Sequence, residues 1–98
     1  MNFVEGHPCY RVSYCDRDLL HPVVETLVYV GKNLSDSDTE ESWYFQDPPS
    51  YAKGGSFLES ESAEHQIFCF KATELSSMHD LDGLLGELAA VRARQRGG

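Results

Sequence analysis

The side chains best suited to metal binding lie near the N-terminus, where two histidines and two cysteines fall within fifteen positions: His7, Cys9, Cys15 and His21. Structural zinc sites commonly pair two cysteines that are two to four residues apart. Cys9 and Cys15 are six positions apart, and on one extended strand they would be separated by ~20 Å, because each residue advances about 3.3 Å. That distance is too long for a shared metal ion or a disulfide. The spacing therefore argues against a zinc site, and we expect no metal and no cofactor.

Nucleophilic catalysis needs a reactive side chain beside a base, and no residue in the chain meets that description. Cys69 lies between Phe68 and Phe70, where an apolar strand would bury the thiol and leave it inert. His65 and His79 have polar neighbours, so we expect both imidazoles to be exposed. The chain has no Gly-x-Ser-x-Gly nucleophile motif, and residues 54–55 are expected to form a plain turn, not a phosphate-binding loop. The sequence predicts no catalytic residue.

One segment does suggest a binding surface, because between residues 36 and 51 it combines five carboxylates with the aromatic side chains of Trp43, Tyr44 and Tyr51. Aromatic rings can fill pockets on a partner protein, while carboxylates speed association with a cationic surface. The simpler interpretation is that Trp43 and Phe45 belong to the core and that the acids form a solvated loop. The candidate partner-binding residues are Asp36, Asp38, Glu40, Glu41, Trp43, Tyr44, Asp47 and Tyr51.

The elements that must position these side chains are strands. Alternating aromatic and β-branched residues predict a strand over 9–15 and a central strand over 23–30. Shorter apolar runs predict strands at 43–45, 56–58 and 65–70. The polar connections between them are typical of exposed loops, and an acidic loop is expected at about 32–42.

A helix is predicted at about 78–94, where apolar residues recur at steps of three and four. Ser77 and Asp80 are both candidates for its N-cap. The apolar stripe is expected to pack on the sheet as one ridge formed by Leu81, Leu84, Leu85, Leu88 and Val91. The predicted fold class is α+β: one domain over 1–96, with three to five mostly antiparallel strands and a C-terminal amphipathic helix packed on one face.

Charge restricts the partners that such a domain would bind. Among 98 residues, 16 acidic side chains face 8 basic ones, giving a formal charge of −8. Phosphate backbones and anionic membrane surfaces repel such a protein, so we expect neither nucleic acid nor membrane binding. Three cysteines do not indicate a disulfide framework, and they predict reduced, largely buried thiols in a cytoplasmic protein.

Three functional hypotheses are compatible with these observations. The leading one is a small acidic module that covers a basic partner protein, in the manner of inhibitor or immunity proteins of similar size and charge. The second is a small enzyme or ligand-binding domain with a pocket between sheet and helix, using His65 or His79 with a nearby carboxylate. The third is a structural homodimer formed through strand edges.

Overall fold

Strands and one long helix account for most of the chain in the computed structural model, which describes residues 3–59 and 65–97. In chain order the elements are β1 (Pro8–Tyr14), β2 (Pro22–Lys32), β3 (Ser42–Gln46), α1 (Pro48–Gly54), β4 (Ile67–Lys71), a 3₁₀ helix (Ala72–Ser77), β5 (Met78–His79) and α2 (Leu81–Gly97). The strands form one sheet in the order β4-β3-β2-β1-β5, and every neighbouring pair is antiparallel. The predicted α+β class is confirmed.

Four of the five predicted strands are present within a few residues of their expected bounds. The predicted strand at 56–58 is wrong, because residues 57–59 form a turn. The backbone N–H of Phe57 donates to the side-chain oxygen of Gln46 at 2.8 Å instead of joining a strand ladder. A buried side chain thus takes the place of a neighbouring strand.

Three short elements were not predicted: α1, the 3₁₀ helix and β5. Pro48 and Pro49 do end β3, as expected, but they also occupy the first positions of α1. Proline suits the first helical turn, where its missing N–H has no partner to lose. Asp47 caps this helix by accepting a hydrogen bond from the backbone N–H of Ser50 at 3.1 Å.

The sheet buries apolar side chains on both faces. The main cluster lies on the face that carries Cys9 and Leu27, which are paired across β1 and β2, and it contains Cys9, Leu27, Tyr29, Phe45, Phe70 and Met78. On the opposite face, Val12 is buried and Tyr14 reaches α2, where its hydroxyl bonds to Glu87. The helix therefore covers the second face, beside β1.

The stripe of α2 is only partly covered, so the prediction of one packed ridge was wrong. Leu84 and Val91 are buried, whereas Leu81 and Leu85 are 56% and 58% exposed. The helix lies along β1 and the two-residue strand β5, at the margin of the sheet. Such a narrow support leaves one flank of the stripe in solvent.

The N-cap of α2 is Asp80, which accepts a hydrogen bond from the backbone N–H of Gly83 at 2.8 Å. Ser77 is not the cap, because its hydroxyl donates to the carbonyl of Glu74.

The prediction of largely buried thiols holds for Cys9 alone, since Cys15 and Cys69 are exposed and all three are free. Cys69 and the buried Phe70 are consecutive on β4 and therefore point to opposite faces of the sheet, so Cys69 lies on the face opposite the main core cluster. No helix within residues 3–59 and 65–97 has the length and apolar content that a bilayer crossing requires.

Candidate functional site

The acidic loop, residues 33–41 between β2 and β3, is held in place by its own hydrogen bonds. Asn33 adopts a positive φ of 54°, and its backbone N–H donates to the carbonyl of Ser42 at 2.7 Å while its side-chain oxygen accepts from the N–H of Ser42 at 2.8 Å. Within the loop, the N–H of Ser35 donates to the carboxylate of Asp38 and the N–H of Asp38 donates to the carbonyl of Ser35, both at 3.1 Å. The loop is therefore an organised turn.

The four acids of the loop have different roles. Asp38 accepts the hydroxyl hydrogen bond of Tyr44 at 2.9 Å, and this bond raises the pKa of Tyr44 to about 12. Glu41 pairs with the ammonium group of Lys32 at 2.9 Å. Asp36 and Glu40 are exposed, and within the described residues their carboxylates accept no hydrogen bond. These two charges are the ones available to a partner.

The two aromatic residues after the loop point to opposite faces of β3, as consecutive strand residues must. Trp43 is half-buried against the main core cluster, and the Lys32 ammonium lies 4.8 Å from its ring centre. Tyr44 lies on the other face and is tied to Asp38. Part of the simpler interpretation therefore holds: Phe45 is fully buried and Trp43 supports the core, although one side of its ring remains near the loop.

Asp47 and Tyr51 lie at the far end of β3, about 16 Å along a five-residue strand from the acidic loop. Besides capping α1, Asp47 accepts hydrogen bonds from the Ser50 hydroxyl at 2.6 Å and from the N–H of Gln66 at 2.7 Å. The bonds to Ser50 and Gln66 lower the pKa of Asp47. Tyr51 lies next to Gly6, where an added Cβ would come within 2.7 Å of the tyrosine oxygen. The structure thus brings the loop acids together but places these two predicted residues elsewhere.

The charge of the acidic loop is offset only in part, by lysines at its base. Lys32 is paired with Glu41, and the ammonium group of Lys71 donates to the hydroxyl of Ser42. The arginine-rich end of α2 lies beside residues 15–21, because the guanidinium of Arg94 donates to the carbonyl of Leu19 at 2.9 Å. Residues 15–21 precede β2, and the acidic loop follows it. The eleven-residue strand therefore separates the arginine-rich end of α2 from the acidic loop by roughly 36 Å.

The histidines and cysteines weighed for a metal site lie at opposite ends of β1. His7 and Cys9 are at its start, while Cys15 and His21 are at its end, where the N–H of Cys15 donates to the carbonyl of His21 at 3.1 Å. His21 instead lies near Asp16, with 3.3 Å between Nδ1 and Oδ1. Within the described parts of the chain, no three His, Cys, Asp or Glu side chains are grouped closely enough to hold a metal ion.

A cleft of about 360 Å³ lies where the N-terminal segment, the start of β1 and the start of α2 meet. The second functional hypothesis predicted a pocket between sheet and helix that contains His65 or His79, and neither of these histidines is among the residues that line this cleft. The histidine at this cleft is His7 and the carboxylate is Asp80, whereas the ring of His65 lies 5.9 Å from that of Phe57. No local sequence signal could reveal this cleft, because its walls come from segments about seventy residues apart.

Comparison of the chain with protein-family models, with curated proteins and with solved structures gave no match. Function must therefore be inferred from the charges and shapes of the molecule itself. Two features offer a basis for that inference: the acidic loop and the cleft.

Proposed function

We propose that this protein is a small acidic binding module whose acidic loop contacts a basic surface on a partner protein. The observation that carries the proposal is the pair of exposed carboxylates, Asp36 and Glu40, on a loop that hydrogen bonds hold in one conformation. A loop that is already ordered loses less conformational entropy on binding than a mobile one. Carboxylates that accept no internal hydrogen bond can face a cation at little cost.

A protein is the partner class that this charge distribution favours. The net charge of −8 opposes approach to nucleic acid or to an anionic membrane. The Trp43 ring next to the loop offers apolar area beside the charges, a combination common at protein interfaces. Inhibitors and immunity proteins that cover a basic partner illustrate this kind of role, and the three free cysteines support a cytoplasmic setting.

The single tryptophan provides a direct assay. An octa-arginine peptide serves as the cationic probe, and Trp43 emission is followed during titration of the full chain. We expect the peptide to displace the Lys32–Glu41 pair above the ring and change the emission. The affinity should fall by roughly tenfold or more between about 20 and 200 mM salt, because added salt screens exposed charges.

A matched pair of variants separates the loop from the overall charge. Asp36→Asn with Glu40→Gln removes two charges from the loop, and Asp18→Asn with Asp82→Asn removes two exposed charges elsewhere. We expect the loop variant alone to lose most of the affinity. Equal losses in both variants, or an affinity that salt does not change, would overturn the proposal.

A structural homodimer is the competing proposal, and the position of β4 favours it. This strand is the outermost on its side of the sheet and carries the sequence IFCFK, so a second copy could extend the sheet there. Sedimentation velocity over a hundredfold concentration range would test it. A sedimentation coefficient that does not change with concentration and fits one chain would exclude the dimer.

A further inference from the structure

The cleft at the start of β1 and α2 has the size and lining of a small-molecule site. Its volume of about 360 Å³ lies within the range of roughly 300–1,000 Å³ that is typical of ligand pockets. Phe3 and Tyr10 contribute aromatic walls, and Val4 and Leu81 contribute aliphatic ones. Such a lining favours a ligand with an apolar body.

Two of the aliphatic side chains that line the cleft are largely exposed. Val4 is 52% exposed and Leu81 is 56% exposed, although both line the same concave surface. A bound molecule of modest size would remove both from water. At about 25 cal/mol per Å² of apolar area, that burial favours occupancy of the cleft.

The charged group at the cleft is the Asp80 carboxylate. Its Oδ1 accepts the hydrogen bond from Gly83 that caps α2, while within the described residues its Oδ2 accepts none. The full negative charge of Asp80 outweighs the roughly half positive charge of a helix N-terminus. Among the residues that the structure describes, no lysine or arginine lines the cleft, so the Asp80 carboxylate favours a cation there.

The Cys9 thiol is in the protonation state that a nearby negative charge favours. Burial, together with the negative charge of Asp80, raises the pKa of the Cys9 thiol to about 11. The thiol is therefore neutral at pH 7 and adds no negative charge to the inner wall. Its sulfur provides a polarisable contact for an apolar group.

We propose that this cleft binds a small organic ammonium ion, an alkyl- or arylamine, with the ammonium group at Asp80 Oδ2 and the apolar body against Phe3, Tyr10 and Leu81. The rings add a favourable interaction with the cation, and the carboxylate provides a charge-assisted hydrogen bond. This site is separate from the acidic loop and does not depend on the protein-binding role.

The test compares two probes of the same shape by ¹⁵N chemical shifts of the full chain. Phenethylamine carries the ammonium group, and 2-phenylethanol replaces it with a neutral hydroxyl. We expect phenethylamine to bind at least about tenfold more tightly, because its ammonium group forms a charge-assisted hydrogen bond with the carboxylate and the neutral hydroxyl does not. The largest shifts should fall on the amides of Cys9, Tyr10 and Leu81.

Two variants locate the charge that matters. Asp80→Asn removes the charge but keeps a good N-cap residue, so α2 should persist; Asp82→Asn removes a charge from the same helical turn outside the cleft. We expect Asp80→Asn to weaken phenethylamine binding roughly tenfold, while Asp82→Asn changes it less than about twofold. Equal affinity for the two probes, an unchanged affinity in Asp80→Asn, or shifts confined to the acidic loop would overturn the proposal.

Discussion

Gln46 joins β3 to α1 and to the turn that follows α1. Its side chain is fully buried, and its amide nitrogen donates to the hydroxyl of Ser50 at 2.9 Å and to the carbonyl of Gly55 at 3.0 Å. Its oxygen accepts the N–H of Phe57 at 2.8 Å. A buried amide with all these partners holds three consecutive segments in one arrangement.

Replacing Gln46 by leucine should destabilise the fold by about 2–3 kcal/mol, because the N–H of Phe57 and the carbonyl of Gly55 would lose their partner. Urea denaturation gives the change in the free energy of unfolding. Gln66→Leu is the matched control, since Gln66 is exposed and its contacts with Asp47 are made by its backbone N–H and carbonyl, which the substitution keeps. A similar loss in both variants would show that the effect comes from the added leucine and not from the missing hydrogen bonds.

At the level of single residues, the sequence predicts which side chains are acidic but not what each acid does. Asp36 and Asp38 have the same chemistry and are two positions apart. Within the described residues, the Asp36 carboxylate accepts no hydrogen bond, whereas that of Asp38 accepts one from the Tyr44 hydroxyl. The burial of Gln46 could not be predicted either, because glutamine is usually exposed and the neighbouring residues do not indicate otherwise.

The attachment of α2 to β1 depends on a few contacts. The Tyr14 hydroxyl of β1 contacts two residues of α2: it donates a hydrogen bond to Glu87 and accepts one from Arg94 at 3.0 Å. The first of these bonds raises the pKa of Tyr14. Buried Leu84, which precedes Glu87, and buried Val91, which lies between Glu87 and Arg94, provide the apolar part of the interface.

Replacing each of two neighbouring leucines by alanine would show which face of α2 packs against the sheet. Leu84→Ala should cost about 2–4 kcal/mol, because it empties a buried position, whereas Leu85→Ala should change stability by less than about 0.5 kcal/mol, because Leu85 is 58% exposed. Both variants place alanine at adjacent positions of the same helix, so helix propensity cancels. Chemical denaturation at low protein concentration provides the comparison. A loss at Leu85 as large as at Leu84 would mean that the whole stripe is covered in solution.

Among the elements, the long periodic ones could be predicted and the short ones could not. β1, β2 and α2 each repeat a pattern over seven or more residues, which is enough to identify their type. The seven-residue α1 has no apolar stripe, and its only signal is an N-cap residue, Asp47, followed by proline. The position of α2 on the sheet could not be predicted from the sequence either, because it depends on β5, a two-residue strand that is too short to show a pattern.

On the scale of the whole molecule, opposite charges lie at opposite ends. The protein measures 50 × 31 × 22 Å, and β2 runs between the connection that binds Arg94 and the acidic loop. The arginines therefore cannot relieve repulsion among the loop acids. Lys32 offsets the charge of Glu41, and repulsion among the remaining loop carboxylates lowers stability at low salt.

Neutralising the loop should accordingly stabilise the protein. We expect the variant with Asp36→Asn and Glu40→Gln to unfold at a higher urea concentration than the parent at about 10 mM ionic strength, where charges interact over roughly 30 Å. At about 1 M, where that range shrinks to ~3 Å, the difference should disappear. The variant should therefore be more stable than the parent but weaker in binding octa-arginine.

The variant with Asp18→Asn and Asp82→Asn should behave in the opposite way. Asp18 follows Arg17, and Asp82 lies in the first turn of α2, where a negative charge favours the helix. Removing these charges should leave the urea midpoint unchanged or lower it. A rise in midpoint equal to that of the loop variant would mean that the total charge matters and its placement does not. A rise confined to the loop variant would show that Asp36 and Glu40 cost stability, which is expected of charges that serve binding.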